Sequence, residues 1–202
     1  MSVLEIETPH GLARAHLHGV ERPRVALVLG HGAAGGVSAP DLVAATDAAR
    51  GEGFAVAVVE QPYRVAGRRA PAPAHQLDTC WTAVVDHLRA EALQGLQLVV
   101  GGRSLGARVA CRMAAQTGAT GVLCLAFPLQ PRRKANPPPS RLPELDAVTV
   151  PTLVVQGDRD QFGLPPPAAN RQIAVVRGDH GLKTDLDAVS SAVASWLREL
   201  RR

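Results

Sequence analysis

One alternation constrains this 202-residue chain more than anything else in it: short runs of nearly unbroken apolar residues, with helical stretches between them. The runs are Arg24–Leu29 (RVALVL), Phe54–Glu60, Leu96–Val100, Gly121–Ala126, Thr152–Gln156 and Gln172–Arg177. A strand with one wet face alternates polar and apolar residues, whereas an unbroken run belongs to a parallel strand covered on both sides. Leu77, Trp81, Val84, Val85 and Leu88 recur at helical spacing in a helix ending at Gly95, and Leu105, Val109, Met113 and Ala114 in one stopped by Gly118. Ser38-Ala39-Pro40-Asp41 reads as a capping box opening a helix to about Arg50. Thr184-Asp185-Leu186-Asp187 reads as a second box, before a helix with Leu186, Val189, Val193, Trp196, Leu197 and Leu200 on one face. Arg198, Arg201 and Arg202 close that helix, where positive charge suits the dipole.

Two segments depart from the pattern. Val3–Glu7 and Ala13–His18 alternate like a solvent-facing hairpin. Phe127–Val150 holds six prolines and cannot be a long helix, so it reads as a surface crossover with at most a short helical turn. The sum is about eight strands. It predicts an α/β fold in one domain over residues 1–202: a doubly wound, mostly parallel eight-stranded sheet with helices on both faces. Sheet and helices use nearly the whole chain, which leaves no length for a lid domain and predicts an open, shallow site.

Composition excludes several functions. Twenty Arg against two Lys and a pI near 9.5 invite a nucleic-acid reading. Arg, Ala, Gly and Pro all have GC-rich codons, however, and the Arg residues are scattered. The densest groups, Arg64, Arg68 and Arg69, then Arg132, Arg133 and Lys134, are not interleaved with aromatics on which bases would stack. No nucleic-acid partner is expected. No apolar run approaches the roughly 18 residues of a membrane span, and no membrane partner is expected either. The start MSVLEIETPHG has no basic segment followed by an apolar one, as a secretory signal would. Cys80, Cys111 and Cys124 sit in apolar contexts without C-x-x-C spacing, which predicts buried free thiols and a cytoplasmic protein.

The chemistry should lie where doubly wound sheets bind ligands, in the loops after the strands. Leu96–Val100 is followed by Gly102-Arg103-Ser104-Leu105-Gly106 and then a helix. This is G-x-S-x-G in its strand–turn–helix context: a tight turn lifts the serine above the strand, and the glycines keep neighbouring backbone from colliding with it. A serine hydroxyl needs a base, and the base an orienting acid, here in chain order serine, acid, histidine. Strand TLVVQ runs into Gly157-Asp158-Arg159-Asp160, and QIAVVR into Gly178-Asp179-His180-Gly181. Of seven histidines, only His31 and His180 follow such strands; His10, His16, His18, His75 and His87 read as exposed strand or helix positions. His180 is the candidate base. Asp160, further into its loop, is the candidate acid, with Asp158 in reserve. An oxyanion hole would take one N–H from Leu105 and one from the loop Gly30-His31-Gly32-Ala33-Ala34-Gly35-Gly36, with Ala33 the candidate and Ala34 the alternative. His31 would hold that loop's shape. Arg103 and Arg64, with Arg68 and Arg69, are candidates for binding an anionic acyl substrate at the mouth.

The same loop supplies a rival. GHGAAG is a G-x-G-x-x-G after a buried strand, and Glu60 ends the next strand, where a dinucleotide fold places its ribose-binding acid. Against it, the helix opens at Ser38 to Pro40, beyond the glycines, and the rival leaves Ser104, Asp160 and His180 without a role. No metal cluster and no cofactor are expected.

HGAAGG, GGRSLGARVA, PTLVVQGDRDQFG and GDHGLK, in that order, resemble the α/β-hydrolase superfamily over about residues 25 to 200. The chain is most similar to a small dienelactone-hydrolase-like branch, including bacterial hydrolase-like proteins related to a vertebrate testis-expressed protein and a chromatin-complex subunit. QPYRVAGRRAPAP and FPLQPRRK share that resemblance. It implies a minimal α/β-hydrolase fold, a Ser104 nucleophile, an Asp160 acid and a His180 base acting on a small-molecule acyl substrate. Dienelactone hydrolases proper use cysteine as nucleophile, so their substrate does not carry over. Some relatives serve in complexes, which makes a non-catalytic scaffold the alternative.

Overall fold

The computed structural model describes residues 2–130 and 138–201. The strands are β1 (Ser2–Thr8), β2 (Gly11–His18), β3 (Val25–Gly30), β4 (Ala55–Glu60), β5 (Gln97–Arg103), β6 (Gly121–Leu125), β7 (Thr152–Gly157) and β8 (Arg171–Val176). The helices are α1 (Pro40–Gly51), α2 (Pro62–Val65), α3 (Ala74–Ala90), α4 (Leu105–Met113), α5 (Leu142–Asp146) and α6 (Leu186–Leu200). The basic group Arg132, Arg133 and Lys134 lies outside the described residues.

All eight strands form one sheet in the order β1-β2-β4-β3-β5-β6-β7-β8. β1, β2 and β4 are successively antiparallel, and every pair from β4 onward is parallel. Strand periodicity sorts the apolar runs onto two faces. Ala26, Val28, Val100, Val122, Cys124 and Val154 meet Trp81, Val84 and Val85 of α3, Val109 and Ala110 of α4, and Leu145 of α5. Leu27, Leu29, Val56, Val58, Leu123 and Leu125 meet Leu42 and Ala45 of α1 and Val193, Trp196 and Leu197 of α6. Arg198 pairs with Glu52 just past the end of α1, joining the two helices of this second face. Among the described residues no lid domain is inserted. Cys80, Cys111 and Cys124 are free and buried.

Several local expectations need correction. Ser38 does not cap α1: its N-cap is Ala39, without a side-chain bond, and Pro40 opens the helix by fixing its own φ. The carboxylate assigned to that box, Asp41, is instead wholly buried in an ion pair. At the second box the cap is Asp185, not Thr184, and its carboxylate accepts the Ala188 N–H at 3.1 Å. β5 continues through Gly101 and Gly102 to Arg103, because both glycines pair with β3 and β6. The proline-rich crossover is not confined to the surface, since Phe127, Leu129, Leu145 and Val148 are buried in the first core. The short helix α2, after Glu60, was not expected; Pro62 at its first turn is the signal that could have marked it.

Candidate active site

The site is built where β5 turns into α4. Ser104 sits between them with φ 52° and ψ −105°, a left-handed backbone that a side chain adopts only under constraint. The constraint is visible. Its N–H donates to Leu125 O of β6 at 2.9 Å, and its own carbonyl accepts the Arg108 N–H at 3.2 Å to begin α4. A β-carbon at Gly102 or at Gly106 would overlap the Gly30 carbonyl. The glycines flanking Ser104 therefore let β3, β5 and the start of α4 touch backbone to backbone. Leu105, the first residue of α4, has an N–H outside the helix's own ladder.

His180 follows β8 and Asp160 follows β7. His180 Nε2 lies 2.9 Å from Ser104 Oγ, and His180 Nδ1 lies 2.8 Å from Asp160 Oδ2. A carboxylate can only accept, so Nδ1 carries the proton and Nε2 is left to accept from the serine hydroxyl. The structure thus brings Ser104, His180 and Asp160 into one hydrogen-bonded line. Asp160 is held on its other side by the Phe162 N–H, which donates to Oδ1 at 2.9 Å. Phe162 also packs edge-on against the imidazole, with ring centroids 4.4 Å apart. Asp158 is turned elsewhere: its Oδ1 accepts the Gly178 N–H at 2.8 Å, joining the acid loop to the histidine loop. The Asp160 side chain is 1% exposed and that of Asp158 48%, which separates the two candidates.

Gln156 was not anticipated. It is wholly buried at the end of β7, and its amide nitrogen lies 2.8 Å from Asp160 Oδ2, 3.1 Å from Phe127 O and 2.9 Å from Gly163 O. The signal that could have found it is a polar residue closing an otherwise apolar strand, TLVVQ.

The loop after β3 lies beside the serine: a β-carbon on Gly32 would sit 3.7 Å from Ser104 Cβ. Gly35 N–H donates to Gly32 O at 3.3 Å, a turn with Ala33 and Ala34 at its centre, which leaves the Ala33 N–H outside the turn's bond. His31 holds this loop. Its Nε2 accepts the Gln61 N–H at 3.1 Å, and its Nδ1 donates to Gly32 O at 2.8 Å. Burial, the largest influence, pushes its pKa down and keeps the ring neutral, as those two bonds require. Tyr63 of α2 packs on His31 and donates to Ala33 O at 3.2 Å. Burial raises the Tyr63 phenol to about 12, with Arg64 opposing.

The arginines divide. Arg103 is not a free cation at the mouth: its Nε lies 2.8 Å from Asp41 Oδ2 and its Nη2 donates to His180 O at 3.1 Å. Arg64, Arg68 and Arg69 make no ion pair among the described residues. Arg68 borders a cavity of about 330 Å³ against Tyr63, Leu12, Pro62 and Leu77. Glu60 faces His16 at 3.8 Å, and α1 starts ten residues beyond Gly30, so the glycine loop does not open a helix as a dinucleotide fold requires.

No curated protein sequence matches the chain. Its fold is shared with a lidless α/β serine hydrolase of Xanthomonas campestris, at 18% identity over 98% of this chain and 94% of that one, with a TM-score of 0.74. Est1E of Butyrivibrio proteoclasticus is 17% identical over 100% and 99% of the two chains, with a TM-score of 0.79. A dienelactone hydrolase of Anabaena variabilis is 15% identical over 98% and 96%, with a TM-score of 0.77. The alpha/beta hydrolase domain family is matched over residues 23–192, and the chain belongs to that family.

Proposed function

We propose that this protein is a serine hydrolase that cleaves an ester, thioester or similar acyl bond in a small molecule. The observation that carries the reading is the line Asp160–His180–Ser104, with bonds of 2.8 and 2.9 Å, on the rim beyond the parallel strands. Ser104 Oγ attacks the acyl carbonyl while His180 Nε2 takes its proton. Asp160 keeps the ring in the tautomer that can accept it, and stabilises the imidazolium that forms. The N–H groups of Leu105 and Ala33 are the proposed donors to the developing oxyanion, where such donors are worth roughly 3 kcal/mol each. His180 then returns the proton to the leaving group, and water releases the acyl-enzyme. No step calls for a cofactor.

A fluorophosphonate probe tests this directly. It should label the wild type at one site and leave Ser104→Ala unlabelled. A folded wild type that resists labelling would favour the scaffold reading. Arg64 and Arg68, without carboxylate partners among the described residues, support a preference for anionic acyl groups. Replacing both by Gln should lower kcat/KM for an anionic p-nitrophenyl hemisuccinate about tenfold relative to neutral p-nitrophenyl acetate, the loss of roughly one charge-assisted bond. An unchanged ratio would remove both arginines from the substrate's path.

A further inference from the structure

Arg103 occupies the position before Ser104, and its guanidinium reaches three separate segments. Nε pairs with Asp41 at the start of α1, 2.8 Å away, and Nη2 donates to the His180 carbonyl at 3.1 Å. Nη1 lies under Gly32 of the loop after β3, close enough that a β-carbon there would overlap it. Asp41 is wholly buried, and its other oxygen, Oδ1, accepts the Leu42 N–H at 3.1 Å. Burial pushes its carboxyl pKa up, with Arg103 pulling it back down. A buried ion pair of this kind is a poor source of net stability, because the desolvation of both charges offsets their attraction. What it does provide is an anchor: with Nε held 2.8 Å from Asp41 Oδ2, the rigid guanidinium plane has little freedom to leave the His180 carbonyl.

The histidine loop has matching needs. On its far side it is held by Asp158 through the Gly178 N–H, and by Asp160 through the imidazole. Among the described residues the His180 carbonyl accepts its hydrogen bond from Arg103. The carbonyl and the ring belong to one residue, so fixing the first limits where Nε2 can travel relative to Ser104.

We propose that Arg103 is a positioning residue of the triad: anchored on buried Asp41, its guanidinium holds the His180 backbone so that the imidazole stays on Ser104. The proposal rests on the serine-hydrolase reading. It differs from a substrate-binding role, since the charge of Arg103 is already taken by Asp41.

Removing Arg103 alone would leave Asp41 buried without its cation, so the main variant is the charge-neutral double replacement Asp41→Asn with Arg103→Gln, its fold checked by thermal melting. Arg103→Lys is the second variant, able to reach Asp41 or the His180 carbonyl but not both. Two readouts are taken. One is fluorophosphonate labelling, resolved into the maximal rate and the probe concentration for half-maximal rate. The other is the low-field proton resonance of His180 Nδ1–H on Asp160, which needs no turnover. In the double variant the maximal labelling rate should fall roughly 10- to 100-fold, the scale of a small misplacement of a reacting group. The half-maximal concentration should hold, and the resonance should broaden or vanish. Arg103→Lys should recover part of the rate. A rate within about threefold of wild type together with an intact resonance would overturn the proposal. So would an unchanged maximal rate with a raised half-maximal concentration, which would return Arg103 to ligand binding. An unlabelled wild type whose resonance is lost in the double variant would remove the hydrolase reading and leave the tie standing.

Discussion

Asp158 and Asp160 are two residues apart in one loop, and only their surroundings decide what each can do. Asp160 is enclosed and accepts from His180, Gln156 and the Phe162 N–H, while Asp158 is half exposed and staples the Gly178 N–H. Asp160→Asn keeps the shape of the site but offers the imidazole an amide in place of an obligate acceptor, which favours the wrong tautomer. Fluorophosphonate labelling should drop by about 10³- to 10⁴-fold. Asp158→Asn should stay within about threefold, since a carbonyl oxygen still accepts the Gly178 N–H. Equal losses in the two variants would mean that the loop's shape, not the acid, is being measured. The line of Ser104, Asp160 and His180 was legible in the sequence because each residue sits just past an apolar strand run. Arg103 and Gln156 were not. Arg103 looks exposed beside Ser104, and nothing local announces Asp41, 62 positions earlier, as its buried partner. Gln156 reads as the end of a strand, and its bonds to Phe127 O and Gly163 O depend on loops that periodicity does not place.

At the scale of elements, apolar patterning found α3, α4, α6 and the strands, because burial on a fixed face leaves a trace in the sequence, whereas α1 was found only from Ser38-Ala39-Pro40-Asp41. Helix starts were harder. Ser38 and Thr184 both fit the pattern of a capping box, yet neither caps, and Asp185 does. A serine or threonine three positions before a carboxylate is common, and only backbone geometry decides which side chain reaches the free N–H groups. Asp185→Ala should therefore destabilise the protein by about 1 kcal/mol in chemical denaturation, the usual worth of a cap. Ser38→Ala should change stability by less than about 0.5 kcal/mol, the scale of a surface substitution. A comparable loss at Ser38 would contradict the assignment of Ala39 as the cap. The strand order was not legible at all. β3 lies between β4 and β5 because the chain winds first one way from β3 and then the other, and side-chain periodicity does not record that choice.

For the molecule as a whole, the carboxyl-end rim is knit together by a few groups that span elements, and Tyr63 is one whose contribution can be read from the stability of the entire fold. It is the single tyrosine in the chain. It is buried, packs on His31, and donates to the Ala33 carbonyl at 3.2 Å, linking α2 to the loop after β3. Burial raises its phenol from 10.0 to about 12 in the folded protein. The sign follows from proton counting. Above pH 10 the unfolded chain begins to release the phenolic proton while the folded chain keeps it, so the unfolded state gains and stability falls as pH rises. The loss begins near the unfolded value of 10.0 and levels off once the folded group also ionises, near 12. By pH 11 this contribution amounts to about 1 kcal/mol. Tyr63→Phe removes the ionisation altogether. It should cost about 1 kcal/mol at pH 8, the worth of the lost bond to Ala33, and the gap to wild type should narrow to near zero by pH 11. Urea denaturation of both proteins at pH 8, 10 and 11 makes the comparison. If the gap between them stays constant across that range, the phenol is not protected in the fold, and the brace between α2 and the loop after β3 is looser than its geometry implies.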